Sequence, residues 1–258
     1  MMRHYFQRTL NKIKRDGICA AAVAVIRRGL GIKAPRMDYM TKGMLQIDNY
    51  KDRFSKIYRD GSWATAESSS GVGSGVAYTE NLRDWLPSVI QQHDVRTIVD
   101  APCGDFNWMI RVLPGVDVKY FGFDIVEDLI EQNRRRHAQE NIEFGVADIC
   151  SDTLPDCDLL LVRDCLFHLS YRDIDRFLQN IKSLDYKYLL TTTHIVEAGF
   201  ANQDIETGDF RPIDLFAKPF RLIENRVVDR VDDFPVGHPL EREMVLIRKV
   251  DVPTSIYG

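Results

Sequence analysis

Arg96-Thr-Ile-Val-Asp100-Ala-Pro-Cys-Gly104-Asp-Phe-Asn-Trp108 is a short apolar run that ends in a carboxylate and then turns through a proline and a glycine. It reads as a buried strand, 96–100, leading into a tight turn. The same rhythm continues downstream. YFGFDI (120–125) predicts a strand and 126–138 a helix with Glu131, Arg134 and Arg135 on its charged face. Strands follow at 142–149 and at 158–163 (DLLLVR), then a helix at 171–182 and a fifth strand at 187–193. A helix starting within 106–113 is expected to link the first two strands, and 79–92 sets Leu82, Trp85, Leu86, Val89 and Ile90 on one helical face ahead of them. Apolar strands that alternate with helices imply a parallel sheet covered on both faces. Two late β-like runs, 226–231 and 243–248 (EMVLIR), flank the turn-rich 233–239 and predict an antiparallel hairpin added to that sheet.

Working outward, the 258 residues, 45% hydrophobic and 28% charged, suffice for one large domain with an appendage. The expected division is a basic helical arm at 1–36, a connecting segment with a Gly/Ser-rich lid at 37–78, and the main domain at 79–258. Residues 1–36 hold nine Lys and Arg against Asp16 alone, a balance of +8, so the remainder carries −12 of the total −4. An acidic body disfavours nucleic acid, whose phosphates want a basic groove. The arm reads either as an ordinary helix packed on the body or as a basic amphipathic segment on an anionic membrane or a protein partner. Its longest apolar run, 18–26, has nine residues, well short of the roughly 20 that span a bilayer. Arg27-Arg28 follow that run at once, against a signal peptide, so a cytoplasmic protein is expected, membrane-associated if the arm binds lipid. Five cysteines without paired or zinc-type spacing argue against disulfides and a structural metal, and none is expected. Glu67-Ser-Ser-Ser-Gly71-Val-Gly73-Ser-Gly75 reads as a flexible linker or as a lid over a ligand, since clustered glycines let the backbone approach closely.

Ligands of a doubly wound sheet bind beyond the carboxyl ends of its strands, at the point where the strand order reverses. Three acids stand at such ends: Asp100, then Asp124 twenty residues beyond Gly104, then Asp148. An acid at Asp124 suits the two hydroxyls of a ribose. The phosphate-cradling GxGxxG turn is missing, because Pro102 and Phe106 flank Gly104 and Asp105 adds a carboxylate. That disfavours a pyrophosphate ligand and with it a nicotinamide-dependent oxidoreductase.

In the order and spacing of these elements, 79–250 resembles the class I S-adenosylmethionine-dependent methyltransferases: acids end the first three strands and a hairpin closes the sheet. The resemblance implies a Rossmann-like fold and S-adenosylmethionine as cofactor. It departs at the loop, where Gly104 is the only glycine left. It places Asp100, Pro102, Cys103 and Gly104 by the amino-acid part of the cofactor, and Asp124 with Ile125 on the ribose. Asp148 with Ile149 falls near the adenine, and Arg163 at the end of the fourth strand. Arg163-Asp164-Cys-Leu-Phe-His168-Leu then stands where the acceptor meets the methyl group, so Asp164 and His168 are candidate catalytic groups, with His194 at the end of the fifth strand a second candidate base. A capping or gap-filling role is the alternative for His168. Trp108 could line the pocket or pack in the core. The polar and aromatic stretch 202–220 is expected to hold the acceptor through Asp209 and Arg211. Together with 67–75 and CGDFNWM, it also resembles, loosely, an uncharacterised bacterial methyltransferase family sometimes found with polysaccharide biosynthesis. The reading is an enzyme that methylates an oxygen, or less readily a nitrogen, of a small molecule or glycan. Its rival is a cofactor-binding scaffold at a membrane that turns nothing over.

Overall fold

The computed structural model describes residues 46–197, 199–235 and 237–257; the arm expected at 1–36 lies outside the described residues. The helices are α1 (Tyr50–Arg59), α2 (Glu80–Gln92), α3 (Glu127–His137) and α4 (Tyr171–Lys182). The strands are β1 (Thr97–Asp100), β2 (Lys119–Asp124), β3 (Ile142–Val146), β4 (Cys157–Val162), β5 (Tyr186–His194), β6 (Val227–Asp232) and β7 (Arg242–Arg248). They form one sheet in the order β3-β2-β1-β4-β5-β7-β6. The first five strands are parallel and β7 runs antiparallel to both β5 and β6, the hairpin expected from the sequence. This is the Rossmann-like arrangement, and the order reverses at β1, between β2 and β4.

Alternation within the strands builds two cores, one on each face. Leu160 and Val162 of β4 join Val99, Leu189, Val245 and Ile247 beneath α4, while Leu159 and Leu161 join Ile98, Leu190, Met244 and Leu246 beneath α2. α4 supplies Ile174, Phe177, Leu178 and Ile181 at helical spacing. Ser170 starts it by accepting a hydrogen bond from the Asp173 amide at 3.1 Å. The capping role open to His168 therefore belongs to Ser170.

Three elements differ from expectation. No α-helix forms over 106–113; two short 3-10 turns, Met109–Arg111 and Leu113–Gly115, stand there instead. Phe106 is in the left-handed region at φ 60°, which a helix cannot continue through, and Pro114 blocks extension at the far end. β3 ends at Val146, so Asp148 sits two residues past the strand, in a turn whose Ser151 and Asp152 amides donate to its carbonyl at 3.0 and 2.8 Å. The chain between 46 and 78, expected as a connecting segment, also contains α1.

Among the described residues no helix is long and apolar enough to cross a membrane, and Cys103, Cys150, Cys157 and Cys165 are free and buried. Leu160 is fully buried between β1 and β5, so Leu160→Ala should lower unfolding free energy by about 2–5 kcal/mol in a denaturant titration, through lost transfer energy plus the cavity left behind.

Candidate functional site

The three strand-end acids reach one place by different routes. Asp100 closes β1 and is buried; its Oδ2 accepts the Tyr120 hydroxyl at 2.7 Å. Burial pushes its carboxyl up to about 7, although the Tyr120 hydrogen bond and the Arg163 charge pull the other way. Asp124 closes β2 and accepts two backbone amides, Gly104 on Oδ2 at 3.2 Å and Val126 on Oδ1 at 3.0 Å. Burial raises its carboxyl to about 6 against those donors. The first of these bonds needs the turn at Gly104, whose φ of 56° favours glycine, and a Cβ there would stand 2.7 Å from Ser70 Oγ. Asp148 takes the Cys150 amide on Oδ1 at 2.8 Å and the Tyr50 hydroxyl, from α1, on Oδ2.

These acids line a cavity of about 1090 Å³, counted out to its open mouth. Of the residues singled out in the sequence, Asp100, Pro102, Cys103, Gly104, Trp108, Asp124, Ile125, Asp148, Ile149, Arg163, Asp164 and His168 all line it. Trp108 lies outside any α-helix, with the Arg163 guanidinium 5.4 Å from its ring centroid.

Past the end of β4, Asp164 adopts φ 54° and its amide donates to Thr192 Oγ1 at 2.9 Å. Its Oδ2 lies 2.8 Å from Arg242 and 3.4 Å from Arg163. Burial opposes its ionisation, but the two guanidiniums prevail and hold the carboxyl below its ordinary range. Arg163 is committed to protein groups: Asp233 receives Nε at 2.9 Å and a second nitrogen at 3.0 Å, and the Gly73 carbonyl a further bond at 2.7 Å.

His168 stands one short turn further on. Its Nδ1 donates to the Asp209 carbonyl at 2.8 Å, the only role open to it since a carbonyl must accept, so Nε2 carries the lone pair. The Trp63 ring stacks on the imidazole at 4.8 Å and 26°, and burial lowers the His168 pKa to about 4.

His194, Asp209 and Arg211 do not line the cavity, contrary to the expectation that they open into it. His194 is buried with Nδ1 accepting the Ile213 amide at 3.2 Å and its ring edge-on to Phe167. Arg211 is buried on the far side of the 166–168 turn and donates to the Leu166 and Gln203 carbonyls at 2.9 and 3.2 Å. The stretch 202–220 thus packs against the 166–168 turn, with Phe220 buried and Phe210 and Phe216 half-buried against the core.

Sequence reading missed α1, which presents Tyr50, Phe54, Ile57 and Tyr58 to the cavity. The signal was there: these residues recur at i, i+4, i+7 and i+8 behind Asn49, whose side chain caps the helix by accepting the Lys51 amide at 2.9 Å. Trp63, Ser69, Ser70 and Ser74 complete that wall.

Residues 98–184 match the family model described as a methyltransferase domain. No curated protein matches in sequence. An S-adenosylmethionine-dependent methyltransferase of Leishmania major is similar in structure, with a TM-score of 0.59 and 15% identity over 80% of this chain and 87% of that one. The 1,6-didemethyltoxoflavin-N1-methyltransferase of Burkholderia thailandensis, solved with 1,6-didemethyltoxoflavin and S-adenosylhomocysteine, gives 0.55 and 15% over 84% and 92%. Mitomycin 7-O-methyltransferase gives 0.51 and 16% over 92% and 69%. At such identities the likeness is one of fold. Residues 98–184 thus match a methyltransferase domain, in a chain that shares the fold of the class I S-adenosylmethionine-dependent methyltransferases.

Proposed function

We propose that this chain transfers a methyl group from S-adenosylmethionine to a hydroxyl of a small molecule or glycan. The observation that carries the reading is the convergence of Asp100, Asp124, Asp148, Asp164 and His168, from the ends of four adjacent strands, on one cavity. The donor set fits the cofactor. Asp124 receives the Gly104 amide on Oδ2 and the Val126 amide on Oδ1, with the Ile125 amide also close, and its two carboxylate oxygens keep acceptor capacity for the ribose hydroxyls. Ile125, Val126, Leu129 and Ile149 offer apolar walls for the adenine, near Asp148. Asp164 offers a negative charge to the ammonium and sulfonium, and Asp100, with its carboxyl pushed up to about 7, adds part of one, while Arg163, the one arginine or lysine on the cavity wall among the described residues, is bound up with Asp233, Asp164 and Gly73. When bound, S-adenosylmethionine supplies an electrophilic methyl group on a sulfonium.

The residues of the chain do the rest by position. His168 keeps its Nε2 lone pair directed away from the Asp209 contact; burial keeps the ring neutral at pH 7 and also makes it a weaker base than a free imidazole, so it would take the proton of an acceptor hydroxyl only as the methyl group transfers. The nearby Asp164 carboxylate favours the imidazolium that results. A base is needed for a neutral hydroxyl and not for a neutral amine, which attacks with its own lone pair, so His168 favours oxygen over nitrogen as the methylated atom. Both chemistries occur on this fold, as the names of the toxoflavin and mitomycin enzymes state.

Asp124→Ala should weaken S-adenosylhomocysteine binding about thirtyfold in calorimetry, the loss of roughly 2 kcal/mol for a charge-assisted hydrogen bond. An unchanged dissociation constant removes Asp124 from the ribose site. With its pKa raised to about 6, the Asp124 carboxyl becomes protonated, and a poorer acceptor, as pH falls through that value. Affinity in the unaltered chain should therefore drop between about pH 7 and 5, and calorimetry across that range should find the Asp124 contribution to this slope absent from Asp124→Ala.

His168→Gln should lower turnover by about a hundredfold or more and leave S-adenosylhomocysteine affinity near normal. The assay is S-adenosylhomocysteine formation with a panel of hydroxylated small molecules and oligosaccharides. Full turnover in the variant would leave positioning alone as the source of catalysis.

A further inference from the structure

The stretch 61–76 lines one side of the cavity and rests on groups in the loops that follow β1 and β4. Ser68 Oγ and the Ser69 amide donate to Asp105 Oδ2 at 2.8 and 2.7 Å, and the Asp105 amide donates back to Ser70 Oγ at 2.8 Å. The Gly73 carbonyl accepts from Arg163 at 2.7 Å, and a Cβ on Gly73 would stand only 2.6 Å from Asp164 Oδ2. Trp63 covers the His168 ring at 4.8 Å.

Very little apolar burial holds this stretch down. Ser68 is its one buried residue, Trp63 is half-buried, and Val72 is 57% exposed. Polar contacts at exposed edges open locally at far less cost than a core element. Gly61 at φ 64° and Gly71 at φ 99° supply left-handed joints where the chain can swing. Beneath the stretch lie the Gly104 turn, which donates to Asp124, and the Asp164 carboxylate.

We propose that residues 61–76 are a strap that opens to admit the cofactor and closes over it, so that its release is limited by breaking the Asp105 and Gly73 contacts. The proposal rests on the cofactor reading above and adds a coupling to it. The strap that seals the cofactor side also carries Trp63, so cofactor capture and the seating of His168 are one event. Asp105 lies outside the main cavity and lines its polar neighbour behind the strap, which makes it a handle on closure separate from cofactor contact.

The experiment measures release of labelled S-adenosylhomocysteine, chased with excess unlabelled compound, in the unaltered chain and in Asp105→Ala, Gly73→Val and the milder Ser70→Ala. Amide exchange across 61–76 is followed with and without S-adenosylhomocysteine. Release should quicken about tenfold or more in at least Asp105→Ala or Ser70→Ala with a smaller change in association, since altered contacts show mainly in off-rates. S-adenosylhomocysteine should slow exchange across the strap in the unaltered chain. Binding with unchanged release in all folded variants, and strap exchange indifferent to the ligand, overturns the strap and leaves the cofactor reading standing. No binding by the unaltered chain overturns both.

Discussion

Two arginines and two aspartates share one buried network at the carboxyl end of the sheet, and the site is arranged around it. Arg163 and Arg242 both contact Asp164 and Asp233, and Asp233 is wholly buried. Taking such ions out of water costs several kcal/mol each, and the cost is offset only when every donor finds an acceptor. Here nearly every one does: Asp233 holds Arg163 in a forked pair, its carbonyl accepts Arg242 Nε at 3.0 Å, and Arg163 Nη2, one arm of that fork, donates to the Gly73 carbonyl as well. The network therefore ties the end of β4 to the turn of the β6–β7 hairpin and to the chain that lines one side of the cavity. A hairpin that looks peripheral in topology thereby fixes the charge state and position of Asp164. It also spends the positive charge of Arg163, leaving the cavity acidic toward a cationic ligand.

The sheet was legible because its signals are local. In LLLV of β4, successive side chains face opposite cores, and both cores need apolar residues, so a continuous apolar run could only be a strand buried on both faces. The 106–113 segment was misread because composition favours a helix there while the backbone is set by neighbours. Phe106 is forced to positive φ so that its ring can pack between Tyr120 and Phe144, at 5.1 Å from each. α1 was missed for the opposite reason: its apolar stripe faces a cavity more than a core, so it is made of tyrosines and short of aliphatics.

The acids could be found from the sequence since strand ends in this topology converge wherever the intervening helices lead. The acceptor side could not, because its geometry depends on which way a long loop folds back. The expectation for Arg211 came from position along the chain, and position fixes only that 202–220 leaves the end of β5. Burial decided the rest. Phe210 and Phe220 turn the loop inward, and Arg211 follows them to a place where backbone carbonyls and the Tyr171 ring, 5.7 Å away, share its charge. Burial lowers its pKa to about 10, so it stays charged at neutral pH.

What that loop contributes to the site is backbone. Gly208 donates to the His168 carbonyl at 2.7 Å, Arg211 donates to that of Phe167 at 3.2 Å, and the Asp209 carbonyl receives His168 Nδ1. A ring nitrogen held by a carbonyl can only be a donor, which fixes the tautomer and leaves the lone pair on Nε2. The Asp209 carboxylate accepts the Phe210 amide at 2.8 Å and acts on the imidazole only through its charge, which favours the protonated ring. The loop matters to chemistry through where its main chain lies, and residue identity enters by way of the buried phenylalanines and Arg211 that hold the main chain there. Asp209 and Arg211, which the sequence offers as acceptor ligands, thus sit in the packing that holds the 166–168 turn and the His168 ring in place.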